Sequence, residues 1–143
     1  MEQLNSVIFY TIDKAIRTYR QYAQRQLKNA GYAITIDQWL VIKNILENPE
    51  ITQQELGEKV FKDNASVTRI VELLVKAKYL KRKNSVGDRR RTNLEVTDKG
   101  IKIISDVQKV VLKNRAVALD KINKQDLEVA KSVLHRITEN CQK

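Results

Sequence analysis

The chain has 143 residues, 42% hydrophobic and 31% charged, with a formal net charge of +10. That much apolar content can bury a core, so the chain is not disordered, and the length suits one domain or one domain with an oligomerising extension. One cysteine, Cys141, and one histidine, His135, exclude an internal disulfide and leave too few ligands for a zinc site.

Four glycines and one proline give too little turn punctuation for a sheet-rich fold, so the expected class is mainly α. No stretch is apolar for the ~20 residues that a bilayer span needs. The opening MEQLNSVIFYTIDK lacks the basic-then-apolar layout of a signal peptide. A cytoplasmic chain with no membrane partner is expected. A basic chain of this size is expected to meet an anion, nucleic acid first.

From Leu4 to Leu27, apolar residues recur at three- and four-residue steps, which predicts an amphipathic helix ending near Gly31. Thr35 with Gln38 forms a capping-box pattern for a second helix, whose buried stripe reads Trp39, Leu40, Ile42, Ile45 and Leu46 and which Pro49 brings to an end. Thr52 with Glu55 repeats the device for a short helix over Gln53 to Val60. Asp63 then caps a helix from Asn64 to about Lys78. Leu80 to Lys83 and Thr92 to Val96 read as two short strands around a loop containing Gly87, with Leu94 and Val96 on one side. Thr97 caps a long helix and Asn123 a final one.

The helix from Asn64 carries the chemistry. Val67, Ile70, Val71 and Leu74 share one face, the core side of a 3.6-residue period. Ala65 and Arg69 lie opposite, flanked by Ser66 and Thr68. Short side chains let a helix backbone approach a major groove, and an arginine there can pair with guanine edges. An ordinary solvated face would look the same in isolation. The neighbourhood argues against that reading: residues 62–91 hold ten lysines and arginines against three acids, a net +7. A helix-turn-helix followed by a basic hairpin is a winged helix-turn-helix layout. Arg89, Arg90 and Arg91, adjacent at the wing, repel one another unless a polyanion lies between them. On a two-stranded ribbon Arg90 points away from its two neighbours, with Asp88 on its own side. From the wing these arginines can reach phosphates or a minor groove, with Arg89 and Arg91 expected on phosphates.

DNASVTRIVELLVKAKYLKR followed by DRRRTNLEVTDKG resembles the multiple antibiotic resistance regulator (MarR) family of bacterial transcription factors. The resemblance covers the whole helix order. Its most specific part is the Asp-x-Arg wing with the strand and T-x-K-G after it: Asp88, Arg90, Leu94, Val96, Thr97, Lys99 and Gly100. It implies one domain over residues 1–143, with dimerisation helices at about 1–34 and 98–143 around a winged-helix region at about 35–97. The implied function is a homodimeric repressor on a pseudo-palindromic double-stranded DNA operator, released by a small-molecule effector. The implied DNA-binding residues are Asn64, Ala65, Ser66, Thr68 and Arg69 on the recognition helix and Asp88, Arg89, Arg90 and Arg91 on the wing. Arg90 is then the groove arginine and Asp88 orients it. Lys78 stands where a glycine commonly ends the recognition helix, and the first helix carries no oxidation-sensing cysteine.

No glycine-rich phosphate loop and no nucleophile–base pair around His135 is readable in the sequence, so neither an enzyme nor a cofactor nor a metal site is expected. The alternative is a non-enzymatic winged-helix module that binds protein or RNA. The wing charge weighs against the first, and the lack of a base-stacking aromatic pair on the hairpin weighs against the second. Tyr19, Tyr22, Tyr32 and Trp39 fit either a cleft for a small aromatic effector or plain core.

Overall fold

The computed structural model describes residues 1–83 and 91–143. A 3-10 turn at Leu4–Ser6 leads into α1 (Ile8–Asn29), α2 (Ile36–Glu47), α3 (Gln53–Val60) and α4 (Asn64–Lys76), then strands β1 (Leu80–Arg82) and β2 (Leu94–Val96), and finally α5 (Asp98–Ala118) and α6 (Lys124–Cys141). This is the mainly α, winged-helix order expected from the sequence. Local capping chemistry sets most of the boundaries. The Thr35 hydroxyl accepts from the Gln38 backbone N–H at 3.0 Å while the Gln38 side chain accepts from the Thr35 N–H at 3.0 Å. Thr52 and Glu55 exchange the same pair of bonds at 3.0 and 3.1 Å. Asp63, Thr97 and Asn123 cap α4, α5 and α6. The first helix is shorter than its apolar periodicity: Val7 is extended, with ψ 118°, and separates the 3-10 turn from α1.

The core lies where α2, α3, α4, the base of the wing and the first half of α5 meet. Its largest fully buried side chains include Ile42, Ile45, Leu56, Leu74, Leu80 and Leu94. Removing one such leucine to alanine costs about 2–5 kcal/mol. The buried face of α2 is Val41, Ile42 and Ile45, while Leu46 is exposed. Leu46 lies in the last turn of α2, just ahead of Pro49.

The two strands pair antiparallel, Leu80 with Val96 and Arg82 with Leu94. The second strand is shorter than expected because Asn93 adopts φ 53°, a left-handed conformation that asparagine tolerates and a strand does not. Ahead of it the chain turns to a different partner. Arg91 bridges to Thr52, and the Thr92 N–H donates to the Ile51 carbonyl at 3.1 Å. The base of the wing is thereby tied to the start of α3. At the opposite end, α6 buries none of its residues and α1 buries only Ala23 and Leu27.

Candidate nucleic-acid interface

Three local features aim α4 outward. Gly57 in α3 faces the turn before α4: a Cβ there would stand 2.9 Å from the Lys62 carbonyl oxygen, closer than a side chain tolerates. Phe61 ends α3 in a left-handed conformation, φ 60°, and reverses the chain. Asp63 then starts α4, its carboxylate accepting the Ser66 N–H at 2.7 Å. That backbone bond, helped by the Ser66 side chain, holds the Asp63 carboxyl below its ordinary range. The first turns of α4 divide as the helical wheel requires. Val67, Val71 and Leu74 are buried, Ile70 and Ser66 are half-buried, and Asn64, Ala65, Thr68 and Arg69 are exposed. The four exposed residues share one continuous outer surface. Thr68 also receives a 3.4 Å bond from the Gln53 side chain, so α3 steadies this face. Gln53 escaped the sequence reading because its partner lies fifteen residues away on another helix.

Of the wing residues, Asp88, Arg89 and Arg90 lie outside the described residues. Arg91 sits at the base of the wing. Its guanidinium donates to the Glu50 carbonyl at 2.7 Å and lies 3.2 Å from the Glu50 carboxylate. Expected on a phosphate, Arg91 is engaged within the fold, holding the wing base to the segment before α3. Lys81 and Glu95 face each other across the strands at 3.6 Å, an exposed pair that contributes little to stability.

The four aromatic residues do not form one cleft. Tyr19 and Trp39 line a cavity of about 180 Å³ between α1, α2 and α5, together with Arg20, Leu40, Asn114 and Arg115. Tyr22 borders a more open surface near Val117, which Tyr19 also lines. Tyr32 packs on the core and donates to the Asp106 carbonyl at 3.4 Å. The cavity carries polar groups that no residue pattern marks. The Trp39 indole N–H is buried and has no partner among the described residues. Asn114 is 3% exposed, its amide 3.5 Å from the Ala23 carbonyl. Arg20, which lines the cavity, also pairs with Asp37 at 3.4 Å, and Asp37 meets Lys62, at 3.5 Å, in the turn before α4. Partners this far apart in the chain leave no periodicity to read. Among the described residues no group of acidic, histidine or cysteine side chains could hold a metal ion, and no helix is long and apolar enough to cross a membrane.

Residues 33–91 match the sequence model of the MarR family. Over 146 aligned residues the chain is 23% identical to the HTH-type transcriptional regulator MhqR of Bacillus subtilis (strain 168), covering 99% of this chain and 97% of that one. Its fold is similar to that of a MarR protein from Peptoclostridium difficile, with TM-score 0.82, 23% identity, and 99% and 91% of the two chains covered. It is also similar to BpsR of Bordetella bronchiseptica, whose DNA binding is regulated by 6-hydroxynicotinic acid: TM-score 0.84, 14% identity, 96% and 97% covered.

Proposed function

We propose that the chain is a MarR-family regulator, sequence-specific for double-stranded DNA, that acts as a homodimeric repressor and is released by a small aromatic effector; the match of residues 33–91 to the family model supports it. The observation that carries the reading is the outer face of α4. Four exposed residues, Asn64, Ala65, Thr68 and Arg69, with half-buried Ser66 at their edge, occupy the first turns of a helix whose opposite face is locked into the core. Small and short polar groups there allow close approach to base edges, and Arg69 supplies the one long donor. On the wing, the sequence assigns Arg90 to the minor groove with Asp88 orienting it and Arg89 to phosphate, while Arg91 steadies the base.

The dimer reading is supported by what one chain leaves uncovered. Leu4, Ile8 and Phe9 at one end and Val129, Val133 and Leu134 on α6 are all exposed, more apolar surface than a lone domain usually presents. A second copy would cover these faces and set two α4 helices on two half-sites. The effector reading is supported by the cavity. A space of about 180 Å³ suits one six-membered ring, since engineered apolar cavities of ~150 Å³ take up benzene. The Trp39 N–H and the guanidiniums of Arg20 and Arg115 would answer an acidic substituent. A relative of the same fold, BpsR, is regulated by an acid of this kind.

The test uses genomic fragments retained by the purified protein as a source of operator. Arg69→Ala should weaken operator binding by ~1–3 kcal/mol and random duplex much less. Equal losses on both would move Arg69 to a phosphate and remove the base-reading assignment. Retention of RNA or protein in place of duplex DNA would overturn the function.

A further inference from the structure

The motif Thr97-Asp98-Lys99-Gly100 takes no part in the surface assigned above to DNA. Its polar contacts run to the far end of α4. The C-cap residue Ala77 carries a carbonyl of the kind that helix ends leave without an intrahelical partner, and Lys78 and Tyr79 follow it outside the helix. The first turn of α5 satisfies the carbonyls of all three. The Lys99 ammonium donates to the Ala77 carbonyl at 2.8 Å, and the Thr97 hydroxyl donates to the Lys78 carbonyl at 2.6 Å. The Thr97 backbone N–H donates to the Tyr79 carbonyl at 3.0 Å. The same hydroxyl accepts the Gly100 N–H at 3.0 Å, so it caps α5 while gripping α4. Lys99 also stands 4.9 Å from the centre of the Tyr79 ring, within cation–π range. Gly100 lets the two ends meet: a Cβ there would collide with the Tyr79 carbonyl oxygen and stand 2.7 Å from a Val96 methyl.

We propose that this joint is a positioning device for DNA reading. Thr97 and Lys99 touch no base, yet they fix the angle at which α4 leaves the dimerising scaffold, and so the separation of the two reading heads. The inference rests on the homodimeric DNA-binding reading above. The core contacts of α4 are apolar (Val67, Val71 and Leu74) and non-directional, so they tolerate small rotations. Hydrogen bonds at the joint are directional and do not. Geometry supplies the lever. From Ala77 to Ala65 the helix runs about 18 Å at ~1.5 Å per residue. A tilt of about 5° at the joint therefore moves the reading end by about 1.5 Å. In a two-fold dimer both heads move, so their separation changes by up to about 3 Å, close to the ~3.4 Å rise of one base pair.

The experiment uses the full-length dimer and palindromic operators built from the retained fragments, with half-sites at native spacing or one base pair closer or farther. Wild type should prefer native spacing by at least about tenfold. Lys99→Met should shrink that preference to about threefold or less while the slope of affinity against salt stays unchanged, and Lys99→Arg should restore it. A parallel measurement needs no DNA. Spin labels at Glu72→Cys in a Cys141→Ser background report the distance between the two α4 helices, and Lys99→Met should broaden its distribution. Unchanged spacing preference together with an unchanged distance distribution overturns the joint. So does a salt slope reduced by about one with spacing preference intact, because Lys99 would then be a phosphate contact. If wild type shows no preference among duplexes, the DNA-binding reading fails instead, and the distance distribution alone decides the joint.

Discussion

Lys78 is the residue whose replacement gives the sharpest stability test. It follows the C-cap of α4 with φ 67°, in the left-handed region where an L-residue pays about 1–2 kcal/mol and glycine nothing. The cap around it is complete: the Lys78 N–H donates to the Val75 carbonyl and the Tyr79 N–H to the Leu74 carbonyl, both at 3.0 Å, the paired bonds of a Schellman motif. Among the described residues the Lys78 side chain makes no hydrogen bond or ion pair and is exposed. Lys78→Gly therefore relieves the strain, offset by about 0.4–1 kcal/mol of extra unfolded-chain entropy. The expected net gain is about 0.5–1 kcal/mol, or roughly 1–4 °C in Tm for a chain of this size. Urea denaturation at fixed protein concentration should show a higher midpoint at unchanged slope. Gly31 provides the mirror control. It ends α1 at φ 91° with nothing within 4 Å of a built Cβ, so Gly31→Ala should cost about 1 kcal/mol through backbone strain alone. A Lys78→Gly protein less stable than wild type by more than about 0.5 kcal/mol would refute the argument, since Lys78 would then hold a stabilising contact.

Three further expectations concern the caps, the uncovered faces and the cavity. The carboxyls of Asp63 and Glu55 lie below their ordinary ranges, held there by bonds from Ser66 and Thr52 respectively. A folded pKa below the unfolded one gives stability that is present above the unfolded pKa and lost as pH falls through the folded pKa. Asp63→Asn keeps a capping oxygen and should lose less stability than wild type in melts taken from pH 5 downward; equal losses would mean Asp63 contributes nothing to the acid limb. Val133→Glu together with Leu134→Glu, both on exposed positions of α6, should convert a dimer to monomer in analytical ultracentrifugation, and an unchanged mass would place the interface elsewhere. Trp39 is the one tryptophan of the chain, so its fluorescence reports on the cavity directly. Benzoate should change it saturably with a Kd of about 1 mM, and Arg20→Ala should weaken that binding several-fold; a linear, unsaturable change would argue for a dry structural void.

What could be read from the sequence divides by distance along the chain. Thr35, Thr52, Asp63, Thr97 and Asn123 act on N–H groups two or three residues away, so the residue pattern reveals the bond. The exposed face of α4 was legible for the same reason, since one turn of helix defines it. Val41 and Leu46 show where periodicity stops deciding. Both fit an apolar stripe on α2, and only the placement of α3 and α4 determines that Val41 is buried and Leu46 is not. Arg91 with Glu50, Asp37 between Arg20 and Lys62, and Asn114 under Ala23 span gaps that no local rule reaches. Lys78 is instructive in a different way. It stands where a glycine commonly ends the helix, yet the bonds of the following turn hold a lysine in the left-handed conformation. The T-x-K-G pattern directly follows the wing in the chain, where the family resemblance groups it with the DNA-binding signature. Its contacts turn to the end of α4 instead, and they give the motif a physical reason. On the proposed DNA-binding reading, α4 must be held at its far end as firmly as its near end is capped, because a tilt of about 5° there moves each reading end by about 1.5 Å and the separation of the two by up to about 3 Å.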